Sequence, residues 1–195
     1  MKYAIWMLLC GVVVVLGGAA LGDKSDPGPD GGSVDAILRL PKMEANGRLG
    51  LLEELTKARH NRQEGLIRLL ESDVPNEIKC DIAYLLGLDR MEQSVEKLSN
   101  VITLEKDQSE LDKRLPLYGR YPAVQALIRI GNPAVRRMVA NIESSDSEKT
   151  RELSALVVRQ IEGAEIGKIV LEKAMEKQTD DKKRGRLKAA IEGMK

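Results

Sequence analysis

Phenylalanine is absent from this 195-residue chain, and the other aromatics are scarce, with one tryptophan and four tyrosines. Binding of single-stranded nucleic acid leans on aromatic stacking platforms and on excess positive charge. Here 31 basic residues face 30 acidic ones, so neither support is present and nucleic acid is not an expected partner. Histidine is nearly missing too. The single one, His60, is followed by Asn61 and cannot supply the several converging donors a metal site needs. A serine or cysteine hydrolase needs a base beside its nucleophile, and no nucleophile-elbow motif occurs. Cysteine stands at two: Cys10 lies inside an N-terminal apolar run, which leaves Cys80 without an internal disulfide partner. Cys80 reads as a small buried hydrophobe. No catalytic residue, cofactor or metal is expected, and the chain reads as non-enzymatic.

Long apolar runs are confined to the start, MKYAIWMLLCGVVVVLGGAALG, where Lys2 is the only charge before Asp23. A charged start, an apolar core and a small-residue tail form the layout of a secretory signal, with Ala20-Leu21-Gly22 fitting a cleavage site. The rival reading is an uncleaved anchor, because residues 4–22 are 19 positions without a charge. Both readings send the body across a membrane, to a periplasmic or secreted address, and contact with a membrane follows only if the first segment stays attached. Cleavage would remove Lys2 and leave 30 basic against 30 acidic residues. Residues 23–33, DKSDPGPDGGS, read as a flexible tether. Asp26 and Asp30 lack the ladder of oxygen ligands and the closing glutamate of a calcium loop.

What remains, residues 34–195, carries helical periodicity. Val124, Leu127 and Ile128 follow i, i+3, i+4, and Val135, Met138, Val139 and Ile142 follow i, i+3, i+4, i+7. Between them Gly131 suits a positive-φ helix end, Asn132 can cap the next helix and Pro133 fits its first turn. The same punctuation is expected elsewhere. Ile78, Ile82 and Leu85 mark a helix ending at Gly87, after which Asp89 can cap one carrying Met91, Val95, Leu98 and Ile102. Ser145 with Glu148 makes a capping box before Leu153, Leu156, Val157 and Ile161, which lead to Gly163; Ile166, Ile169, Val170 and Ala174 then form a partner helix. Upstream, Leu51, Leu52, Leu55 and Ala58 form one apolar face. Asn61 with Glu64 can cap a helix carrying Leu66, Leu69 and Leu70. A last helix from about Asp181 carries Leu187, Ala190, Ile191 and Met194, and its dense charge suits a terminal cap.

One amphipathic pair cannot bury its own stripe, whereas stacked pairs build a continuous core. The expected fold is all-α, an α-solenoid of stacked antiparallel helical pairs. "AYLLG", "VQALIRIGNPAVRRMV" and the glycine-punctuated pairs resemble HEAT or armadillo-type repeats, and in particular the HEAT-like repeats of exported bacterial proteins. Gly87, Gly131 and Gly163 are 44 and 32 residues apart, so the period is irregular. HEAT-like enzymes exist, and fold alone does not exclude catalysis. The iron-binding His-Glu pairs of deoxyhypusine hydroxylase, however, have no counterpart here. The basic and aromatic residues that HEAT-like DNA glycosylases use to hold DNA are also missing.

The resemblance implies a scaffold whose concave face, lined by the second helix of each pair, takes a protein or peptide. It would place Gln93, Lys97, Arg136, Arg137, Asn141, Lys168 and Glu172 there. Polar residues opposite Val135, Met138 and Val139 also need no function, as any amphipathic helix has them. A second candidate is the stretched segment 105–120, EKDQSELDKRLPLYGR, where Arg114, Tyr118 and Arg120, followed by Tyr121, supply residue types favoured at binding hot spots. The alternative there is a simple lid, with Leu115 and Leu117 covering the core. A monomer is expected. The competing function is that of a HEAT-like lyase or chaperone for a small cofactor or pigment.

Overall fold

Apolar positions three and four apart dictate helices, and helices are what form in the computed structural model, which describes residues 63–106 and 117–194. In chain order they are α1 (Gln63–Glu71), α2 (Asn76–Leu88), a 3-10 turn (Glu92–Ser94) running into α3 (Val95–Asn100), then α4 (Leu117–Arg120) and α5 (Pro122–Ile130). These are followed by α6 (Asn132–Ser144), α7 (Glu148–Glu162), α8 (Ala164–Lys177) and α9 (Asp181–Glu192). No strand occurs among the described residues, so the protein is all-α. The expected signal or anchor, the 23–33 tether, the apolar face built on Leu51 and Leu55, and His60 and Asn61 lie outside the described residues. Within them no helix is long and apolar enough to cross a membrane.

Two of the three punctuating glycines do what their spacing implies. Gly131 is the single residue between α5 and α6, at φ 85° and ψ −143°, and Gly163 is the single residue between α7 and α8, at φ 81° and ψ 164°. That corner of conformational space is open essentially to glycine alone. Each glycine N–H closes the preceding helix, on the Leu127 and Arg159 carbonyls at 3.1 and 2.9 Å. Gly131 itself, rather than Asn132, caps α6. Asn132 is already helical and its side chain makes no capping bond, while Pro133 occupies the first turn as expected.

Gly87 behaves differently. It lies inside α2, buried, and a Cβ built on it would fall 2.5 Å from the Ala126 Cα and 2.8 Å from the Ala126 Cβ. The glycine is therefore needed for the close crossing of α2 over α5, and the helix runs past it. The stop comes one residue later, at Leu88. Arg90 takes φ 50°, its N–H bonds the Gly87 carbonyl at 3.2 Å, and the Met91 N–H bonds the Leu86 carbonyl at 3.2 Å. This pair of bonds is the Schellman ending, with arginine where glycine is usual. Asp89 closes α2 instead of opening the next helix, which begins with the 3-10 turn after Met91. Near α7 the cap is also displaced: Ser147, not Ser145, accepts the Thr150 N–H at 3.2 Å, while Ser145 ends α6 and receives the Ser147 N–H.

The core runs continuously from Leu66, Leu69 and Leu70 of α1 through Ile78, Ile82 and Leu85 of α2 to Leu187 and Met194 at the C-terminal end. Each fully buried leucine or isoleucine contributes about 1.5–3 kcal/mol relative to exposure. Packing is most extensive between α2 and α5 and between α6 and α7; α5 also meets α3 and α7, and α6 also meets α3 and α9. The glycine-linked helices α5 and α6 touch each other less than they touch these neighbours. α8 departs from its expected face. Ile166 and Ile169 are 50% and 44% exposed, and the helix turns Gly167 and Leu171 inward instead. The cause is a close approach, because a Cβ on Gly167 would lie 3.2 Å from the Met194 sulfur and 3.6 Å from Val158. Seating the backbone there rotates the isoleucines outward.

Candidate binding groove

Because α8 packs on α7 and α9, it stands apart from α6, and a groove of about 650 Å³ opens between the two. Val135, Val139 and Ala140 of α6 and Val170 and Ala174 of α8 supply its apolar surface. Helical spacing puts them there: one turn separates Val135 from Val139, and one turn separates Val170 from Ala174. Arg136, Lys173 and Lys177 edge the groove, together with Glu143 in the last turn of α6 and Glu162 at the end of α7.

Several charges elsewhere on this half of the molecule are paired. Lys182 reaches Asp146 at 3.2 Å, and Arg186 bonds the same carboxylate and also donates to the Glu143 carbonyl at 2.9 Å. These contacts hold α9 against the α6–α7 connection. Hydrogen bonds from Lys182 and Arg186, reinforced by their charge, hold the Asp146 carboxyl below its ordinary range. Asp180, which caps α9 by accepting the Lys183 N–H at 3.0 Å, is lowered chiefly by that bond. Lys168 lies 3.4 Å from Glu165, and Arg184 lies 3.9 Å from Asp181. Arg136, Lys173 and Lys177 have no ion-pair partner among the described residues, and neither do the Glu143 and Glu162 carboxylates.

The residues singled out in the sequence are dispersed. Arg136 is exposed and edges the groove. Arg137, next to it, turns away: its Nε donates to the Ser99 hydroxyl at 2.9 Å and its Nη2 to the Asn100 side-chain carbonyl at 3.3 Å, tying α6 to α3. Lys97 pairs with Glu71 and ties α3 to α1; the hydrogen bond to Glu71 raises its pKa. Asn141 is half-buried and its carbonyl accepts the Ser145 N–H at 2.9 Å. Gln93 is exposed in the 3-10 turn, and Lys168 and Glu172 sit on α8 outside the groove lining.

In the stretched segment, Arg114 and the side chain of Tyr118 lie outside the described residues. The ends of the segment are joined by the Lys106 N–H on the Arg120 carbonyl at 3.0 Å. Arg120 is half-buried and its Nε has no hydrogen-bond partner. Tyr121 is buried, with Lys149 5.0 Å from its ring centroid.

Lys173 and Lys177 escaped the reading of the sequence, although their i, i+4 spacing on α8 beside Val170 and Ala174 is visible in it. A second groove, about 420 Å³, lies between α7 and α9 over Ala155, Leu156, Ala190 and Met194. No group of three or more potential metal ligands occurs among the described residues. In comparisons with known proteins, no family model matches this chain and no curated protein matches it.

Proposed function

We propose that this all-α protein is an exported, monomeric, non-enzymatic scaffold of HEAT-like character, an α-solenoid that holds a protein or peptide in the groove between α6 and α8. The observation that carries this reading is the groove itself, an apolar floor bordered by charges that have no ion-pair partner among the described residues. Further support comes from the neighbour-to-neighbour order of packing. α2, α5 and α7 follow one another and α3 meets α6, the order expected of stacked pairs, while α8 packs on α7 and α9 rather than on α6. Export rests on the N-terminal sequence, whose charge, apolar run and small residues have the signal layout.

Ala140 is exposed and lines the groove, so Ala140→Arg obstructs it without entering the core. Crosslinking and affinity capture from the cell envelope should recover a specific protein with the wild type and lose it with Ala140→Arg. Recovery by both variants moves the contact elsewhere. A protein that purifies with a bound pigment or metal would favour the small-cofactor function instead. Intact mass tests export: loss of the first 22 residues is expected, and retention would replace a cleaved signal by an anchor.

A further inference from the structure

Resting on the groove reading, we infer the chemistry of the occupant: an amphipathic helix of a partner protein, with its apolar face on the groove floor and carboxylates along one flank. Shape points to a helix. The floor is made by two helices whose apolar side chains recur at turn spacing, the surface into which a third helix fits its own i, i+3, i+4 and i+7 anchors.

The apolar surface also continues beyond the groove. Ile166 is one turn before Val170 on α8, and Ile169 is one turn before Lys173; they are 50% and 44% exposed, ahead of Tyr84 at 41%, the other exposed large hydrophobic residue among the described residues. A helix lying along α8 would cover Ile166 as it leaves the groove. Isolated exposed apolar residues need no explanation, but a run continuous with an apolar groove marks an interaction surface.

Charge sets the flank. Lys173 and Lys177 are an i, i+4 pair on one edge of α8, and Arg136 stands on α6; among the described residues these three lack an acidic partner, as do Lys149, Arg159, Lys183 and Lys188, but only these three border the groove. Glutamates at the same i, i+4 spacing on the incoming helix would meet that lysine pair. The two groove carboxylates, Glu143 and Glu162, belong to the last turns of α6 and α7 and leave the cations in excess by one. Complementarity of this kind governs choice of partner more than it governs raw affinity.

The test uses the full chain and two synthetic helical peptides with identical leucines at i, i+3, i+4 and i+7, one flanked by glutamates and its twin by lysines. The glutamate peptide should bind about tenfold more tightly at low salt, and Lys173→Glu with Lys177→Glu should reverse the preference. Because reversal is a gain of binding for the lysine peptide, an unfolded variant cannot mimic it. Equal affinities, or a preference for lysine in the wild type, would overturn the inference. Failure of both peptides, with Ala140→Arg still abolishing capture, overturns the acidic helix and leaves the groove reading standing. Loss of that capture effect as well removes the groove reading. Concentration-dependent dimerisation abolished by Ile166→Ser with Ile169→Ser, or a crosslink from position 140 to the chain's own residues 34–62, would assign the groove to a second copy or to an internal segment and contradict a partner helix.

Discussion

Arg90 adopts φ 50°, a conformation that costs an L-residue about 1–2 kcal/mol and glycine almost nothing. Its side chain is exposed, so Arg90→Gly should stabilise the fold by about 1 kcal/mol, raising Tm by about 2–4 °C for a chain of this size. Gly87→Ala should do the opposite. Its methyl would meet the backbone of Ala126, which cannot rotate aside, and overpacking of this kind costs about 1–3 kcal/mol. Thermal melts of the two variants check both signs. These two positions also show where the sequence was legible and where it was not. A glycine after an apolar stripe looks the same whether it ends a helix or admits a neighbour, and only the position of α5 distinguishes them. Gly131 and Gly163 could be recognised because a new apolar stripe begins directly after each, leaving no room for another function.

At the scale of elements, the periodicity of α5, α6 and α7 carried over to the fold because their stripes are rich in Val, Leu and Ile on one face only. The stripe of α8 did so only in part, with Val170 and Ala174 packed against the core but Ile166 and Ile169 exposed. Its isoleucines are the more hydrophobic choice, but Gly167 allows closer packing against Met194 and Val158, and burial followed contact rather than hydropathy. The groove was therefore only half visible. Arg136 could be placed on it, but Arg137, adjacent and chemically identical, became a strut between α6 and α3. Arg137→Ala should lower stability by about 1 kcal/mol and leave groove binding intact. Gly131→Val should cost more, by forcing a β-branched residue into positive φ. Chemical denaturation of the two variants, compared at equal m-value, orders them.

At the scale of the molecule, pH acts through the clamp that holds the terminal helix. The Asp146 carboxyl is lowered by Lys182 and Arg186, and Asp180 by its capping bond. For a depressed carboxyl the stabilisation is complete above its unfolded pKa, about 3.9, and disappears as pH falls through the lower folded value. Asp146→Asn should thus reduce Tm at neutral pH and flatten its decline below about pH 4, with α9 amides losing hydrogen-exchange protection first. Lys97 works at the other limb. Its pKa is raised by Glu71, so the α1–α3 tie is fully present below about 10.4 and lost as pH rises through the raised value.

The groove between α6 and α8 is the central claim, and a photo-crosslinking amino acid incorporated at Ala140 tests it most directly, with Tyr84, exposed on α2, as the matched control. In cells, illumination should yield one discrete protein adduct from position 140 and none from position 84. Equal adducts from both positions, or an adduct from position 84 alone, would contradict it.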